Sequence, residues 1–511
     1  DWIFGAGFDF IGTESGLSEF NHPDCRLMLD LMDEFADYVN HTWGRSAFVK
    51  VHCSTGQVCE DFPDPRTGEA VNFNFLTMFA SPSMGVYPHT VQFYALDDPT
   101  AGAYGNDNFS EIAEYMHYEA RLGNRSVVWY GETAYWVNVD VDVPLFLPIY
   151  GQRRLHDLRL IARREEREGA RIQGQMNFDS GWEWSYWLWD VVTARASWDP
   201  LLSAAEDEWE AFAASLAPLR RVLPPGVGEA VTDALVRMTQ EQEELLVHGR
   251  VGGQDSPNLR KLSGVAYLSG LDTWVHLPRL VGLSLTQPDR VHLLEHDDPW
   301  YPYVRPLLEE MEARLAPRAG DFAAAAAAGR EQGAGDGAQE LLDEMARSAR
   351  LLALRARHSR LLYASRAPGT GEEEGARLQA EGRALIGEAK DIVRAQEAAY
   401  RVPWQRIGAW RDNPTVYRYG YVWAVHSLFY FWRDQGIAEG GSRESEVSPC
   451  WLNRMDATEV ALGWGKLVLE TLRGWILRFL PGQSGAMVAS CIGPPSQEYE
   501  FPRDLFRELQ H

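Results

Sequence analysis

The sequence predicts an α/β fold of parallel βα units over residues 1–200, followed by an all-α region over residues 201–511. Two observations lead to this prediction. In the first part, short apolar runs alternate with amphipathic helical patterns, as they do in parallel βα units. Beyond Trp198, strand signals nearly vanish and long helical patterns replace them. A chain of 511 residues that is 45% hydrophobic is long enough for a large core.

Each predicted strand is separated from the next by helical or loop sequence. The strands are predicted over residues 3–11, 47–53, 90–96, 127–130 and 172–178. Amphipathic helices are predicted after Pro23, after Ser110 and over residues 155–162. Parallel strands joined by helices bring their carboxyl ends to one rim, where the active sites of βα-barrels lie.

The strand count falls short of a complete (β/α)8 TIM barrel. A weaker sixth strand over residues 143–149 does not complete the eight that such a barrel needs. Because the first strand begins almost at residue 1, we expect the barrel's first strands to lie upstream in a trimmed or processed chain, unless the count itself is wrong.

The region beyond residue 200 is predicted to consist of helices joined by exposed linkers. Helices are predicted over residues 209–216, 227–246, 341–362 and 460–479. Small-residue stretches over residues 323–337 and 369–375 have the composition of linkers.

The net charge and the lengths of the apolar runs indicate which partners the chain is expected to lack. The chain has 48 Lys plus Arg against 73 Asp plus Glu, a formal net charge of -25. Such a chain repels phosphate backbones, so nucleic acid is not expected as a partner. No apolar run approaches the roughly 20 residues of a membrane helix, so no membrane span is expected. The sequence leaves the oligomeric state open.

Cysteines and glycosylation sequons favour a secreted or other extracytoplasmic protein. Cys53 and Cys59 flank a short loop that a disulfide could close, and acceptor sequons begin at Asn40, Asn108 and Asn124. The alternative is that the sequons arise by chance and that the cysteines are buried thiols.

Two glutamates follow predicted strands in an aromatic setting. The chain has 19 Trp, 20 Tyr and 21 Phe, many of them in predicted loops, and such rings stack on the apolar faces of sugars. Glu14 follows the first strand, and Glu132 follows the strand over residues 127–130. Glycosidic cleavage needs two carboxyl groups flanking the bond. Tyr130 and Trp136, on either side of Glu132, are predicted to contact the substrate. The alternative is that Glu14 or Glu183 only caps a following helix.

This arrangement resembles the clan of retaining TIM-barrel glycosidases, in which the acid/base ends the fourth strand and the nucleophile ends the seventh. The resemblance implies that Glu14 is the acid/base and Glu132 the nucleophile, with Tyr94 or His52 hydrogen-bonded to the nucleophile. Residues 172–178 would then form the eighth strand. Thr13 stands where members of the clan usually carry Asn.

A second resemblance covers residues 178–188 and 193–200. This stretch is similar to the last strand and post-barrel helix of hexosaminidase-like and α-glucuronidase-like glycosidases, which have helical C-terminal extensions. The resemblance implies that Asp179, Trp182, Glu183 and Trp184 line the sugar subsite. Asp179 or Glu183, paired with Glu132, is a rival catalytic pair.

Neither a cofactor nor a catalytic metal is predicted, because the histidines lack any short ligand spacing. Asp97 and Asp98 are interpreted as a strand-end turn rather than a calcium site. His156 and Asp157 are interpreted as surface polar residues of an outer helix.

The leading hypothesis is a glycoside hydrolase that acts on an extracellular polysaccharide or glycoconjugate by a retaining mechanism. The first alternative is a non-catalytic glycan-binding or structural protein on a degenerate TIM barrel. The second is a metal-dependent hydrolase of an ester or amide bond, which would require His and Asp side chains to converge.

Overall fold

The computed structural model describes most of the first 255 residues and the helices that follow. The described residues are 1–15, 24–54, 56–91, 93–100, 106–132, 136–138, 141–142, 146–177, 183–202, 205, 207–255, 301–400, 431, 435, 438 and 439. The chain divides into two compact units. The first comprises Asp1–Ala134, Ile149–Asp179 and Trp187–Leu216, and the second comprises Tyr135–Pro148, Ser180–Tyr186 and Ala217–His511.

Strands and helices alternate up to residue 200. In chain order these elements are α1 (Trp2–Gly5), β1 (Phe10–Glu14), α2 (Cys25–Trp43), β2 (Ser46–Val51), β3 (Val58–Pro63), β4 (Ala70–Asn72), a 3-10 helix (Phe73–Phe79), β5 (Met84–Pro88), α3 (Ser110–Leu122), β6 (Val128–Trp129), β7 (Trp136–Asn138), β8 (Val141–Asp142), α4 (Ile149–Glu168), β9 (Gly174–Gln175) and α5 (Glu183–Trp198).

Helices dominate the described residues beyond 200. The elements are α6 (Glu208–Ser215), α7 (Ala217–Val222), α8 (Val227–Gln242), a π-helical turn (Glu243–Val247), β10 (Arg250–Val251), β11 (Gln254–Asp255), α9 (Tyr301–Glu331), α10 (Asp336–Ser365) and α11 (Glu372–Tyr400).

A parallel sheet forms the centre of the first unit. β1 pairs with β2 and β2 pairs with β5, all in parallel. Parallel bridges from Val86 to Val127 and from His89 to Tyr130 continue the sheet to β6, which pairs in parallel with β9. In the described part of the chain, the spatial order of these strands therefore follows their order in the sequence.

The sheet has one apolar face. Its buried residues on β2 and β5 are Ala47, Val49, Val51, Met84 and Val86. Helix α2 packs against both strands and buries Met32, Ala36 and Val39. Because side chains alternate along a strand, the intervening residues of β2 and β5 belong to the opposite face, which carries the polar groups described below.

Four of the five predicted strands overlap observed ones, the first of them only at Phe10 and Ile11, and the strand predicted over residues 90–96 is wrong in position. β2, β6 and β9 lie within or next to the predicted segments. The first strand begins at Phe10 rather than residue 3, because a short helix and Gly7, at φ 95°, precede it. β5 ends at Pro88, and the described residues within 90–96 form no strand. The weaker sixth strand is also wrong where described, because Ile149 opens α4.

A disulfide joins Cys25 at the start of α2 to Cys59 in β3, with 6.0 Å between their Cα atoms. The predicted closure of the Cys53–Cys59 loop is therefore wrong. Cys53 is buried and lies outside this bond. The bond links residues 34 apart in sequence and encloses β2, which carries polar residues of the candidate site.

The second unit packs long helices side by side. α9 packs against α8 and α10, and α10 packs against α11. The linker predicted over residues 323–337 is mostly helix, since α9 continues to Glu331, as the high helix propensity of its Ala run favours. The helix predicted over residues 460–479 lies outside the described residues. Among the helices described, none has the length and apolar character that crossing a bilayer requires.

Candidate active site

The carboxyl ends of β1, β2, β5 and β6 bring polar side chains to one edge of the parallel sheet. Glu14 is paired in register with Lys50, and His89 is bridged to Tyr130. His52 follows the last residue of β2 and, by alternation, shares the face of Lys50. We call these five residues, Glu14, Lys50, His52, His89 and Tyr130, the rim cluster.

Glu14 occupies the exposed end of the rim cluster. Its side chain is 44% exposed and forms an ion pair with the ammonium of Lys50, whose side chain is 18% exposed. This contact joins β1 to β2 through their side chains as well as through the sheet. Any proton transfer by the Glu14 carboxyl would first require this ion pair to break.

The two histidines of the rim cluster are buried neighbours. Their ring centroids are 5.2 Å apart. Burial and the Lys50 ammonium hold the pKa of His52 well below its ordinary value. Burial, with nearby Lys50, His52 and Arg154, does the same to the pKa of His89. Both rings are therefore neutral near pH 7 and offer hydrogen bonds rather than positive charge.

The tautomer of His52 follows from its contact with the main chain. The amide of Ser54 donates to Nδ1 of His52 over 3.2 Å, so in the neutral ring Nε2 carries the proton. A neutral imidazole held in one tautomer is a directional donor. Such a group suits recognition of an uncharged hydroxyl.

Aromatic rings line the same face of the sheet. The rings of Phe48 and Tyr87 stack at 4.5 Å between centroids, and Tyr130 lies 5.9 Å from Tyr87 and 4.9 Å from His89. Burial raises the pKa of Tyr87 to about 12, so its hydroxyl stays protonated. Gly85 makes this packing possible, because a Cβ there would lie 2.5 Å from the Phe48 ring.

Glu132 lies two residues beyond Tyr130 and is buried, with 3% of its surface exposed. Its carbonyl accepts a hydrogen bond of 2.9 Å from Nη1 of Arg154 on α4. A Cβ on Gly131 would lie 3.1 Å from Trp129 and 2.8 Å from Arg154. Gly131 and Trp129 therefore lie on the side of the strand that packs against α4. Because side chains alternate along a strand, Glu132 lies on the opposite side, with Tyr130.

Helix α4 carries buried charges that the sequence interpretation placed on the surface. Asp157 is fully buried, and its carboxylate pairs with Arg154 and accepts from the amide of Leu96. Burial raises the pKa of Asp157 to about 6. The surface assignment of Asp157 is therefore wrong. Inside the fold, its negative charge is paired with the positive charge of Arg154.

The interpretation of His156 as a surface polar residue is incomplete, because its ring bridges two carboxylates. Its ring nitrogens contact Asp97 at 2.9 Å and Glu208 of α6 at 3.5 Å. Although burial opposes it, these hydrogen bonds raise the pKa of His156 to about 9. Asp98 pairs with Arg153 and accepts from the amide of Ala95, as a turn residue does. Within the described ranges, no group of three or more His, Cys, Asp or Glu could hold a metal ion.

The structure describes the remaining predicted site residues in different detail. Tyr94 is buried beyond the end of β5, with its ring 4.5 Å from Phe93. Glu183 and Trp184 open α5 and Trp136 opens β7, and only their main chains are described. Asp179 and Trp182 lie outside the described residues.

The sequence interpretation missed Lys50, Tyr87 and Arg154 as residues of this region and considered His89 only as a metal ligand. Lys50 alternates with Phe48 and His52 along an otherwise apolar strand, which is a readable signal. Tyr87 and His89 were missed with their strand. Arg154 shares its helix face with apolar residues, and a buried arginine in such a place signals a specific partner.

No protein-family model matches the chain, and no curated protein matches it. Among solved structures, the chain is similar to a GH138 enzyme targeting pectin rhamnogalacturonan II. The likeness has a TM-score of 0.44 and 10% sequence identity, and covers 84% of this chain and 62% of the other. The chain thus spans less than two thirds of the length of that enzyme's chain.

Proposed function

We propose that the protein is a glycoside hydrolase that cleaves an extracellular polysaccharide or glycoconjugate with retention of configuration. One observation carries this proposal. Successive parallel strands bring Glu14, neutral histidines and Tyr130 to a single sheet edge, with Glu132 two residues beyond Tyr130. Glycosidic cleavage requires two carboxyl groups flanking the bond, and barrel enzymes carry their active sites at the carboxyl ends of parallel strands.

The proposal includes a (β/α)8 TIM barrel as the fold of this region. In such a barrel each parallel strand pairs with the next one in the sequence, and β1, β2, β5, β6 and β9 follow that order. With β1 as the fourth strand, β5 becomes the sixth and β6 the seventh. His89 at the end of β5 then takes the place that the resemblance gave to Tyr94.

The proposed mechanism uses the different surroundings of the two glutamates. The Glu132 carboxylate attacks the anomeric carbon and forms a glycosyl ester, while Glu14 gives its proton to the departing glycosidic oxygen. Water then attacks the anomeric carbon, which breaks its bond to Glu132 and frees the carboxylate, while Glu14 takes up the proton of that water. An acid/base must exchange protons with both leaving group and solvent, and Glu14 is half exposed.

The neighbouring groups suit the recognition of an uncharged sugar. The half-buried ring of Tyr130 offers a face for stacking on apolar C–H surfaces. His52 and His89 are neutral and can exchange hydrogen bonds with sugar hydroxyls. When the sugar enters the site it leaves bulk water, and the lower dielectric constant there strengthens its hydrogen bonds.

An extracytoplasmic location is part of the proposal. The disulfide between Cys25 and Cys59 is of a kind that persists in oxidising compartments. The three sequon asparagines, Asn40, Asn108 and Asn124, are all exposed. Exposed acceptors and a disulfide both support secretion.

A non-catalytic glycan-binding protein is the second candidate, and the ion pair between Glu14 and Lys50 favours it. If the pair persists when a glycan binds, Glu14 holds the sheet edge together and delivers no proton. The same aromatic and imidazole groups would then bind a sugar without cleaving it.

The experiment that separates these candidates is a screen of aryl glycosides, with the anomer released first identified by proton NMR. A retaining glycosidase releases the anomer of the starting configuration. Release of the opposite anomer would contradict the retaining mechanism. If no glycoside turns over but a glycan array shows binding, the protein is the binding candidate. The Glu132→Gln protein serves as the control for contaminating activity.

A further inference from the structure

The guanidinium of Arg154 connects two strand-end segments to helix α4. Arg154 is 1% exposed. Its Nη1 donates to the Glu132 carbonyl over 2.9 Å and to the Thr90 hydroxyl over 3.3 Å, and its Nη2 donates to the carbonyl of Tyr94. One side chain thereby joins the residues after β5 to the residues after β6.

Asp157 completes this arrangement one helical turn further along α4. Its Oδ2 lies 3.1 Å from Nη2 of Arg154, and its Oδ1 accepts from the amide of Leu96 over 2.7 Å. Both carboxylate oxygens are thus used, one on the guanidinium and one on the segment after β5. A planar guanidinium with several donors can hold several acceptors in fixed directions, which a lysine cannot.

Packing around Gly131 shows how closely the guanidinium approaches the strand end. A Cβ on Gly131 would lie 2.8 Å from Cδ and 3.0 Å from Nη1 of Arg154. A side chain in place of Gly131 would therefore force Arg154 or the strand end to shift. A buried ion pair gains little stability over apolar packing, so its placement here points to a role in positioning.

We infer that Arg154 is a positioning residue that fixes the main chain of Glu132 relative to the segment after β5. In catalysis it acts through Glu132 and touches no substrate, so the catalytic part of this inference rests on the proposed function. Holding a nucleophile within a fraction of an ångström matters, because a displacement of about 1 Å can cost about 100-fold in rate. The positioning itself is a property of the main chain and can be measured without substrate.

The test compares Arg154→Lys with a matched control, Arg159→Lys. Arg159 is on the same helix and is 1% exposed, and its contacts are with Glu208 and the Leu201 carbonyl. In Arg154→Lys we expect faster amide hydrogen exchange confined to peptides spanning residues 90–96 and 130–132. We also expect kcat to fall about 10- to 100-fold with KM within about twofold. In Arg159→Lys, exchange in those peptides and kcat should stay as in the wild type.

Unchanged exchange in both peptides of Arg154→Lys would overturn the inference, whatever happens to turnover. A rise in exchange spread over the whole unit, equal in the two variants, would also overturn it. If Arg154→Lys does not fold, Asp157→Asn is measured by the same criterion, since it removes the charge that holds the guanidinium. If the wild type turns over no glycoside, the proposed function fails, while the exchange data still decide the positioning role.

Discussion

The ends of β1 and β6 carry glutamates in contrasting environments. The Glu14 side chain is 44% exposed and contacts Lys50, whereas Glu132 is 3% exposed and its main chain is bound by Arg154. In the described sheet, β1 pairs with β2 only, while β6 lies between β5 and β9. Two strand-end glutamates that look alike in sequence thus differ in exposure and in the cation that contacts them.

The largest expected effect separates the two glutamates by chemistry. Glu132→Gln should lower kcat on the order of 10³-fold for every glycoside, because it removes the nucleophilic charge with little change in volume. Glu14→Gln should spare kcat/KM, which reports formation of the glycosyl-enzyme, for aryl glycosides whose leaving groups need no proton, and should lower it for those with basic leaving groups. The measurement is kcat/KM across a leaving-group series, with kcat recorded as well, because loss of the base in the second step lowers kcat for every leaving group.

The control for this comparison is Glu114→Gln. Glu114 lies on α3, is 56% exposed in its side chain and pairs with Arg164. It should keep wild-type kcat throughout the series. An equal loss of kcat/KM for all leaving groups in Glu14→Gln would contradict its role as acid/base.

The next effect concerns the segment between α2 and β3, which contains β2. Replacing both Cys25 and Cys59 with Ser should lower the free energy of unfolding by about 2–4 kcal/mol, because the unfolded chain is no longer closed into a loop. Urea unfolding of the wild type in the presence of a reductant gives the matching control. Equal stability of the oxidised wild type and the double variant would show that the disulfide does not form.

A smaller effect tests the crowding at the β6 end. Gly131→Ala should destabilise the fold by about 1–3 kcal/mol, because the new methyl group meets Arg154 and Trp129. Gly174→Ala on the adjacent β9 is the matched control, since nothing lies within 4 Å of a Cβ there. Thermal unfolding of the two variants measures the difference. If both behave alike, the close approach of Arg154 is wrong.

The smallest effect is a pH dependence in α4 away from the strand ends. The pKa of His156 is raised from 6.5 to about 9, so its stabilising contribution is complete below pH 6.5 and is lost as the pH rises through 9. With solvent screening at exposed Asp97, the loss should be on the order of 1 kcal/mol. Urea unfolding at about pH 6 and about pH 10 should show this loss in the wild type but not in His156→Asn. The same slope in both proteins would rule out the contribution.

Several elements could be predicted from the sequence because local pattern determines them. The amphipathic repeats of α3 and α4 and the apolar run of β2 needed no long-range information. β5 was missed because Gly85 and Pro88 are poor strand formers. Gly85 is there to admit the Phe48 ring from the neighbouring strand, and a contact between distant residues leaves no local signal.

In the candidate site, too, local sequence predicts some features and only the fold reveals the others. Glu14 and Glu132 could be predicted as strand-end acids, because position after a strand is a local property. The burial of Asp157 and the pairing of Lys50 with Glu14 depend on which elements meet in space. The sequence interpretation therefore identified acids at the strand ends, but not Lys50 and Arg154, the cations that contact them.

The most direct measurement is covalent labelling with a mechanism-based glycoside that traps the glycosyl-enzyme, followed by peptide mapping. The account predicts one labelled residue, Glu132, in the wild type, and no label in Glu132→Gln. A label on Asp179, Glu183 or Glu14 would contradict the assignment of Glu132 as the nucleophile.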